Sequence, residues 1–377
     1  MAPVSLPRSF LNQYDEPFGF MDFAAIGAMS IPARRRLSEL SEAMSGREGK
    51  LIPLVMGEIE TASRLAAELI GTSPERVAII PNTSTGLFSV AFGLPPGSVV
   101  VPETEFAANL YPWVRAGDSG RIEPRMIEVP GGRLTADLVA RAVDGSTVAV
   151  TVSHVDYRTG YRCDLEAIRE AAGEALVVVD AVQALGAVRF SMEVADVVVS
   201  GGHKWLRAGG GVGLMAVSDR ALERLSPTLV GWPGVVDPFD TGTPIPHAPI
   251  ESSRRFAIGS PPFTSVAALR GSLEALGAAS MEEVEARVIA RSRAVEEEAR
   301  RAGAELVCPR RSDSERSGIV SFRPAGEPSA ETYRRLTADG FAVTERDGLL
   351  RVAPYATTHG DAPRSLGEVL RARKRIT

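Results

Sequence analysis

Strand-length runs rich in β-branched residues, without polar/apolar alternation, restrict the fold of this 377-residue chain more than any other feature. They occupy 77–80, 98–101, 147–152, 176–179 and 196–199. A strand with one wet face alternates polar and apolar residues. These runs do not, so both faces must be covered, as in a largely parallel sheet between helices. Between them, 135–143 and 165–172 carry apolar residues at helical spacing, with Asp164 placed to cap the second. Strand and helix in alternation predict an α/β layered fold.

Beyond residue 230 the texture changes. Residues 231–262 are rich in Gly and Pro and predict a long ordered loop, a kind of segment that is usually functional. Helices are expected at 265–276, 281–302 and 362–373, and strands at 318–322 and 349–352. This organisation divides the sequence into a larger domain at 31–254 and a smaller α+β domain at 255–377. Residues 1–30 are expected to contribute to the small domain or to the active site.

Composition removes several classes of function. A net charge of −5 provides no basic field for nucleic acid. Cys163 and Cys308 are the only cysteines, and His154, His203, His247 and His359 are scattered, so no metal centre is expected. No apolar stretch approaches the ~18 residues of a membrane span. Met1-Ala-Pro-Val-Ser-Leu-Pro-Arg8 has no apolar signal-peptide core, and a cytoplasmic location is expected.

Residues 176–217 concentrate the chemistry. One buried run ends at Asp180, with Gln183 three residues on, and the next leads into Ser200-Gly-Gly-His-Lys-Trp205 and Gly209-Gly-Gly-Val-Gly213. In open α/β sheets ligands gather beyond the carboxyl ends of strands. Burying a carboxylate or a lysine there is costly unless each is partnered. A lysine, unperturbed near ~10.4, becomes a useful nucleophile or base only when burial and neighbours lower that value. Alone, the aspartate is an ordinary turn former and the lysine an ordinary solvated residue. Together, a carboxylate for a pyridinium nitrogen and a Schiff-base lysine are what pyridoxal 5′-phosphate (PLP) requires. Gly201, Gly202 and the 209–213 glycines are expected to let backbone close in on a flat or anionic group. A dinucleotide loop is a poor account of them, because they follow a mid-sequence lysine and lack the ribose-binding acid ~20 residues later.

With these residues the protein resembles the class V aminotransferase family of fold-type I PLP enzymes. That group includes cysteine desulfurases, kynureninases, isopenicillin N epimerase and C–S lyases. Asp180-Ala-Val-Gln183 and His203-Lys204-Trp205 match the family's acid, glutamine and imine-forming lysine, and the resemblance covers roughly residues 20–370. It implies a mainly parallel central sheet between helices, with a smaller α+β C-terminal domain. Within Asn82-Thr-Ser-Thr-Gly86 it implies that Ser84 and Thr85 hold the cofactor phosphate at a helix N-terminus. Phe106, in Glu105-Phe-Ala-Ala-Asn-Leu-Tyr-Pro-Trp113, would lie against the cofactor ring. Asp180 would face the ring nitrogen and Gln183 the phenolic oxygen, with His203 and Trp232 also lining the cofactor.

The same resemblance places Tyr157, in Ser153-His-Val-Asp-Tyr-Arg-Thr-Gly160, near cofactor or substrate, with His154 structural. Arg351, in Leu350-Arg-Val-Ala-Pro-Tyr355, would grip the substrate α-carboxylate, a task suited to a guanidinium fork. Gly231-Trp-Pro-Gly234 and Arg254-Arg-Phe-Ala-Ile-Gly-Ser-Pro-Pro262 match loops that family dimers lend to the neighbouring subunit. A homodimer with a shared active site is therefore implied, with Ser260 reaching the phosphate across the interface. Recognition of the substrate's R group would fall to residues 12–31, Tyr157, Trp232, His247 and the partner's loop.

Departures from the family narrow the activity. Gly201 stands where many members carry Ser or Thr for the phosphate, so that contact is missing or moved to Ser200. Desulfurases carry histidine where Phe106 stands, and no cysteine falls in 329–341, where they keep their nucleophile. The resemblance implies instead a lyase acting on an L-amino acid through a Cα carbanion. It would cleave a C–S or C–C bond of the substrate's side chain, kynureninase-like or cysteine-conjugate lyase-like. An aminotransferase or a decarboxylating or oxidative deaminase needs nearly the same first contacts. A non-catalytic PLP- or ligand-binding protein is the alternative of another class.

Overall fold

The computed structural model describes residues 5–46 and 50–372. Met1–Val4 of the N-terminal peptide and Arg373, the expected end of the last helix, lie outside them. The larger sheet has seven strands: β1 (Val77–Ile80), β2 (Ser98–Pro102), β3 (Glu123–Ile127), β4 (Thr147–Ser153), β5 (Leu176–Asp180), β6 (Val197–Gly201) and β7 (Gly213–Val217). Their spatial order is β1-β7-β6-β5-β4-β2-β3. β2 to β6 pair in parallel, and β7 runs antiparallel to both its neighbours, β6 and β1.

Why the central strands lack alternation is plain from their packing. Val150, Val152, Val177, Val179 and Val198 enter the hydrophobic core on one face. Ala149, Leu176, Val178, Val197 and Val199 enter a second core on the other. Two expectations are corrected here. β3 was not anticipated, because Glu123-Pro-Arg-Met-Ile127 is a partly exposed edge strand with charged residues. β7 was hidden in the glycine run, whose last member serves strand pairing instead of a ligand. A Cβ on Gly213 would lie 2.4 Å from the Ser200 carbonyl oxygen, so only glycine lets β7 close on β6.

The second sheet is antiparallel, ordered β10-β11-β9-β8 from β8 (Glu305–Leu306), β9 (Val320–Arg323), β10 (Thr344–Arg346) and β11 (Leu349–Val352). Helices Met281–Arg301 and Ala362–Arg371 cover it, burying Val295, Leu366 and Leu370 against Phe322, Leu350 and Val352. The N-terminal segment joins this sheet: Phe20 bridges to Ala342 and Asp22 to Ala353. It then crosses to the lysine turn, where the Gly27 amide donates to the His203 carbonyl at 2.8 Å. Helix Phe263–Leu276 sends Val266, Leu269 and Leu273 into the core of the larger sheet. Residues 231–262 form the expected loop, with 3-10 turns at Trp232–Gly234 and Ser253–Phe256.

Arg207 locks these pieces together. Its side chain is 1% exposed and pairs with Glu16, 5% exposed, at 2.7 Å. Nε donates to the Ala28 carbonyl at 2.6 Å, and Nη1 to Thr357 Oγ1 at 3.2 Å. The guanidinium lies 4.1 Å from the Tyr14 ring centroid, 5.0 Å from Phe23 and 5.5 Å from Tyr355. Its backbone adopts φ 59°, a conformation that a long residue takes only when its surroundings enforce it.

Candidate active site

Parallel register brings three strand ends together: Ser153 of β4 stands opposite Asp180 of β5, and Asp180 opposite Val199 of β6. The backbone leaves β6 through Gly201 and Gly202 and delivers His203 and Lys204 beside Asp180. Asp180 is 2% exposed, and its Oδ1 accepts from the Val182 amide at 2.9 Å. Burial pushes its carboxyl up to about 6 against the pull of that amide and of the Lys204 charge. Burial draws the Lys204 amine down to about 8, with Asp180 opposing, Arg351 assisting and Asp22 opposing. Burial also lowers His203, and the Lys204 charge adds to it.

Aromatic and polar groups frame this pair. Lys204 Nζ lies 5.7 Å from the Phe106 ring centroid, and that ring is 41% exposed. Tyr157 meets Phe106 edge-on at 5.1 Å. Gln183 is buried with both ends engaged: Trp205 Nε1 donates to its oxygen at 2.9 Å, and its Nε2 donates to the Ala24 carbonyl at 3.0 Å. One amide hydrogen remains for a ligand. Arg351 donates to the Tyr157 carbonyl at 3.0 Å and to Thr344 Oγ1 at 3.3 Å, while its Nε is buried without a partner.

The helix Thr83–Gly93 follows β1, and its first residue meets the end of β6. Asn82 caps it by accepting from the Thr85 amide at 3.0 Å and the Thr85 hydroxyl at 3.1 Å. Helix geometry leaves the Thr83 and Ser84 amides without intrahelical acceptors, an arrangement that favours an anion. Thr83 explains the departure at Gly201. Its hydroxyl accepts from the Gly201 amide at 2.9 Å, and a Cβ on Gly201 would sit 3.2 Å from that oxygen and 3.0 Å from His203 Nδ1. The hydroxyl of Ser200 is buried and donates to the Gly201 carbonyl, so it does not take over the missing contact.

Lys204, Asp180, Gln183, His203, Phe106, Tyr157 and Arg351 are thus brought together, with Ser84 and Thr85 at the adjoining helix. Trp232 and Ser260 stand apart within the single subunit. Trp232 is 48% exposed and packs on Phe239, and Ser260 is exposed. His247 is held by the Val236 carbonyl at 2.9 Å on the same loop. His154 is buried and kept neutral, its value pulled down to about 3, with Nε2 accepting from Arg162 at 3.2 Å.

Two acids at the site were not singled out from the sequence, although Asp22 falls within residues 12–31, expected to take part in substrate recognition. Glu105 accepts from the Ser153 amide at 2.6 Å and from the Ser153 hydroxyl. Burial pushes it up to about 8 against those bonds, and the charge of Asp180 acts in the same upward direction. Asp22 lies 3.6 Å from Arg351 Nη2 and is raised by burial, opposed by Thr344, Arg351 and Lys204. Asp22 sits in an apolar N-terminal stretch with no local signal that marks it, whereas the place of Glu105 beside Phe106 is the signal that could identify it.

The family model described as aminotransferase class-V matches residues 45–372. A protein of Bacillus subtilis described as an uncharacterized aminotransferase is 28% identical over 303 residues, 78% of this chain and 78% of its own. A kynureninase of Deinococcus radiodurans is 27% identical over 380 residues, 93% of this chain and 88% of its own. A solved cystine C-S lyase, in complex with its reaction product cysteine persulfide, superposes with a TM-score of 0.85 at 18% identity. That match covers 94% of this chain and 97% of the other, and it is a likeness of fold.

Proposed function

The protein belongs to the aminotransferase class-V family of PLP-dependent enzymes, and from that premise we propose that it is a lyase acting on an L-amino acid, cleaving a C–S or C–C bond of the substrate's side chain. The observation that carries the reading is the placement of Lys204, in the turn that follows β6, beside Asp180 at the end of the adjoining β5, each shifted toward the neutral range by burial.

The residues fit the cofactor. Asp180 offers a buried carboxylate to a protonated ring nitrogen, and Gln183 has one amide hydrogen left for the phenolic oxygen. Free amides of the helix Thr83–Gly93 and the hydroxyls of Ser84 and Thr85 suit a phosphate. The open face of Phe106 suits a flat ring, and His203 would line the same space. When bound, PLP supplies an electron sink that lowers the cost of breaking a bond at the substrate's α-carbon.

Around it, the protein's own residues bind, orient and move protons. Arg351 holds the α-carboxylate, which fixes the bond that faces the sink. Lys204 takes the Cα proton and returns it. Phe106 has no proton to give, which disfavours epimerisation. Cys163 and Cys308 are buried, and burial raises the Cys163 thiol, so neither serves as a persulfide-forming nucleophile. The kynureninase relative, matched over 93% of this chain, supports a lyase. The Bacillus subtilis relative favours transamination as the second reading. Incubating holoenzyme with thioether, aryl-ketone and plain amino acids separates them. Release of pyruvate or alanine without an added keto acid supports the lyase, and turnover that requires a keto acid acceptor contradicts it.

We extend the proposal to a homodimer with a shared site. Trp232, Phe239 and Ile245 expose large apolar surface on one loop, 48%, 77% and 86% respectively, as a contact face does. Ser260 on that loop would then reach the partner's phosphate site. Sedimentation of the holoenzyme should give a dimer; a monomer that retains full activity contradicts this arrangement.

Two further outcomes follow from the geometry. Replacing the fork of Arg351 in Arg351→Lys should raise KM for the amino acid by roughly 10–100-fold with a smaller change in kcat, the cost of about 1.5–3 kcal/mol for a charged hydrogen-bonding group. An unchanged KM would remove Arg351 from the substrate site. In cofactor-free protein, acylation of Lys204 by an amine-directed reagent should reach half its maximal rate near pH 8, because only the neutral amine reacts. A midpoint near the ordinary ~10.4 would show an unperturbed lysine.

A further inference from the structure

Asp22 gives the site a second charged group beside Arg351. Backbone pairing holds it there: the Ala353 amide donates to Met21 at 2.7 Å, and the Phe23 amide to Ala353 at 3.2 Å. Both carboxylate oxygens lie near Thr344 Oγ1, at 2.8 and 2.9 Å, but that hydroxyl has one hydrogen to give. Arg351 Nη2, at 3.6 Å from Oδ1, is near enough to act through its charge and too far for a hydrogen bond. The Asp22 side chain is 20% exposed, so its carboxylate keeps acceptor capacity within reach of a small ligand. Lys204 is, after Arg351, the second group whose charge acts on it.

Arg351 alone would admit any carboxylate. With Asp22 beside it, a simple carboxylate arriving at the guanidinium meets a like charge, which is unfavourable at close range. An α-amino acid carries an ammonium one carbon away from its carboxylate, and this offsets the like charge by facing Asp22. We propose that Asp22 and Arg351 together read the zwitterion of the incoming α-amino acid, the guanidinium taking the carboxylate and Asp22 accepting from the ammonium. Deaminated acids are thereby turned away. The inference rests on the role proposed for Arg351 and adds the specificity that a lone arginine lacks.

Reducing the holoenzyme with borohydride fixes the cofactor to the protein, so that ligands bind without condensing. Calorimetric titration with L-alanine and with propionate then reads the encounter alone. Wild type should prefer L-alanine. Asp22→Asn should weaken L-alanine about tenfold and tighten propionate several-fold, collapsing the preference. Asp22→Glu, which keeps the charge, should retain it, and this variant keeps the test readable if the asparagine variant folds poorly. Equal shifts for both ligands, in the same direction, would overturn the inference and leave Asp22 a structural partner of Arg351. If Arg351→Lys binds L-alanine and propionate as tightly as wild type, the Arg351 assignment itself falls, and this inference with it.

Discussion

Lys204→Ala is expected to cut turnover by about 10³-fold or more while cofactor still binds through the remaining contacts. The size of the effect follows from where the amine sits. The sequence has three lysines, Lys50, Lys204 and Lys374, and among the described residues Lys204 is the one carried just past the carboxyl end of a buried strand. Its amine stands against Phe106 and shares the field of Asp180, Arg351 and Asp22. The adjacent His203 offers an imidazole, which forms no imine with an aldehyde, so it is not an equivalent replacement. Steady-state rates and the visible spectrum of the purified variant check both halves of the prediction. Undiminished turnover would refute the assignment of Lys204.

Breaking the Arg207–Glu16 pair should produce the largest loss of stability. Arg207→Met leaves Glu16 buried and without its cation, and removing one partner of a buried pair costs about 3–5 kcal/mol. Loss of the guanidinium among Tyr14, Phe23 and Tyr355 adds to this. The consequence should reach the site, since the Arg207 amide donates to the Lys204 carbonyl at 3.0 Å. Urea unfolding measures the loss. Adding Glu16→Gln to Arg207→Met should recover part of it, because the stranded charge is then gone. A single-variant change below about 1 kcal/mol would mean that water or another group already compensates Glu16.

The sequence exposed the parts of this fold whose role is set locally. Val77–Ile80 and Leu176–Asp180 are legible because strands covered on both faces must be apolar throughout. Asp180 and Lys204 are legible because strand ends in an α/β sheet are where ligands gather, and a paired acid and amine have few other reasons to be there. What stayed hidden depends on placement between distant segments. β3 has the polar texture of an edge, and β7 is masked by glycines needed for its approach to β6. Thr83, placed within a phosphate-type motif, proved to be the residue that meets Gly201. Asp22 and Arg207 acquire their meaning from the path of the N-terminal segment, which passes from the second sheet to the lysine turn. Neighbouring residues in the sequence carry no trace of that crossing.

The proposed function requires one amine, that of Lys204, to carry the cofactor, with Asp180 facing the ring nitrogen. Borohydride reduction of the holoenzyme followed by peptide mapping tests it most directly. A single pyridoxyl tag on the peptide containing His203-Lys204-Trp205 is the predicted result. A tag on Lys50 or Lys374, or a protein that yields none, would contradict the account.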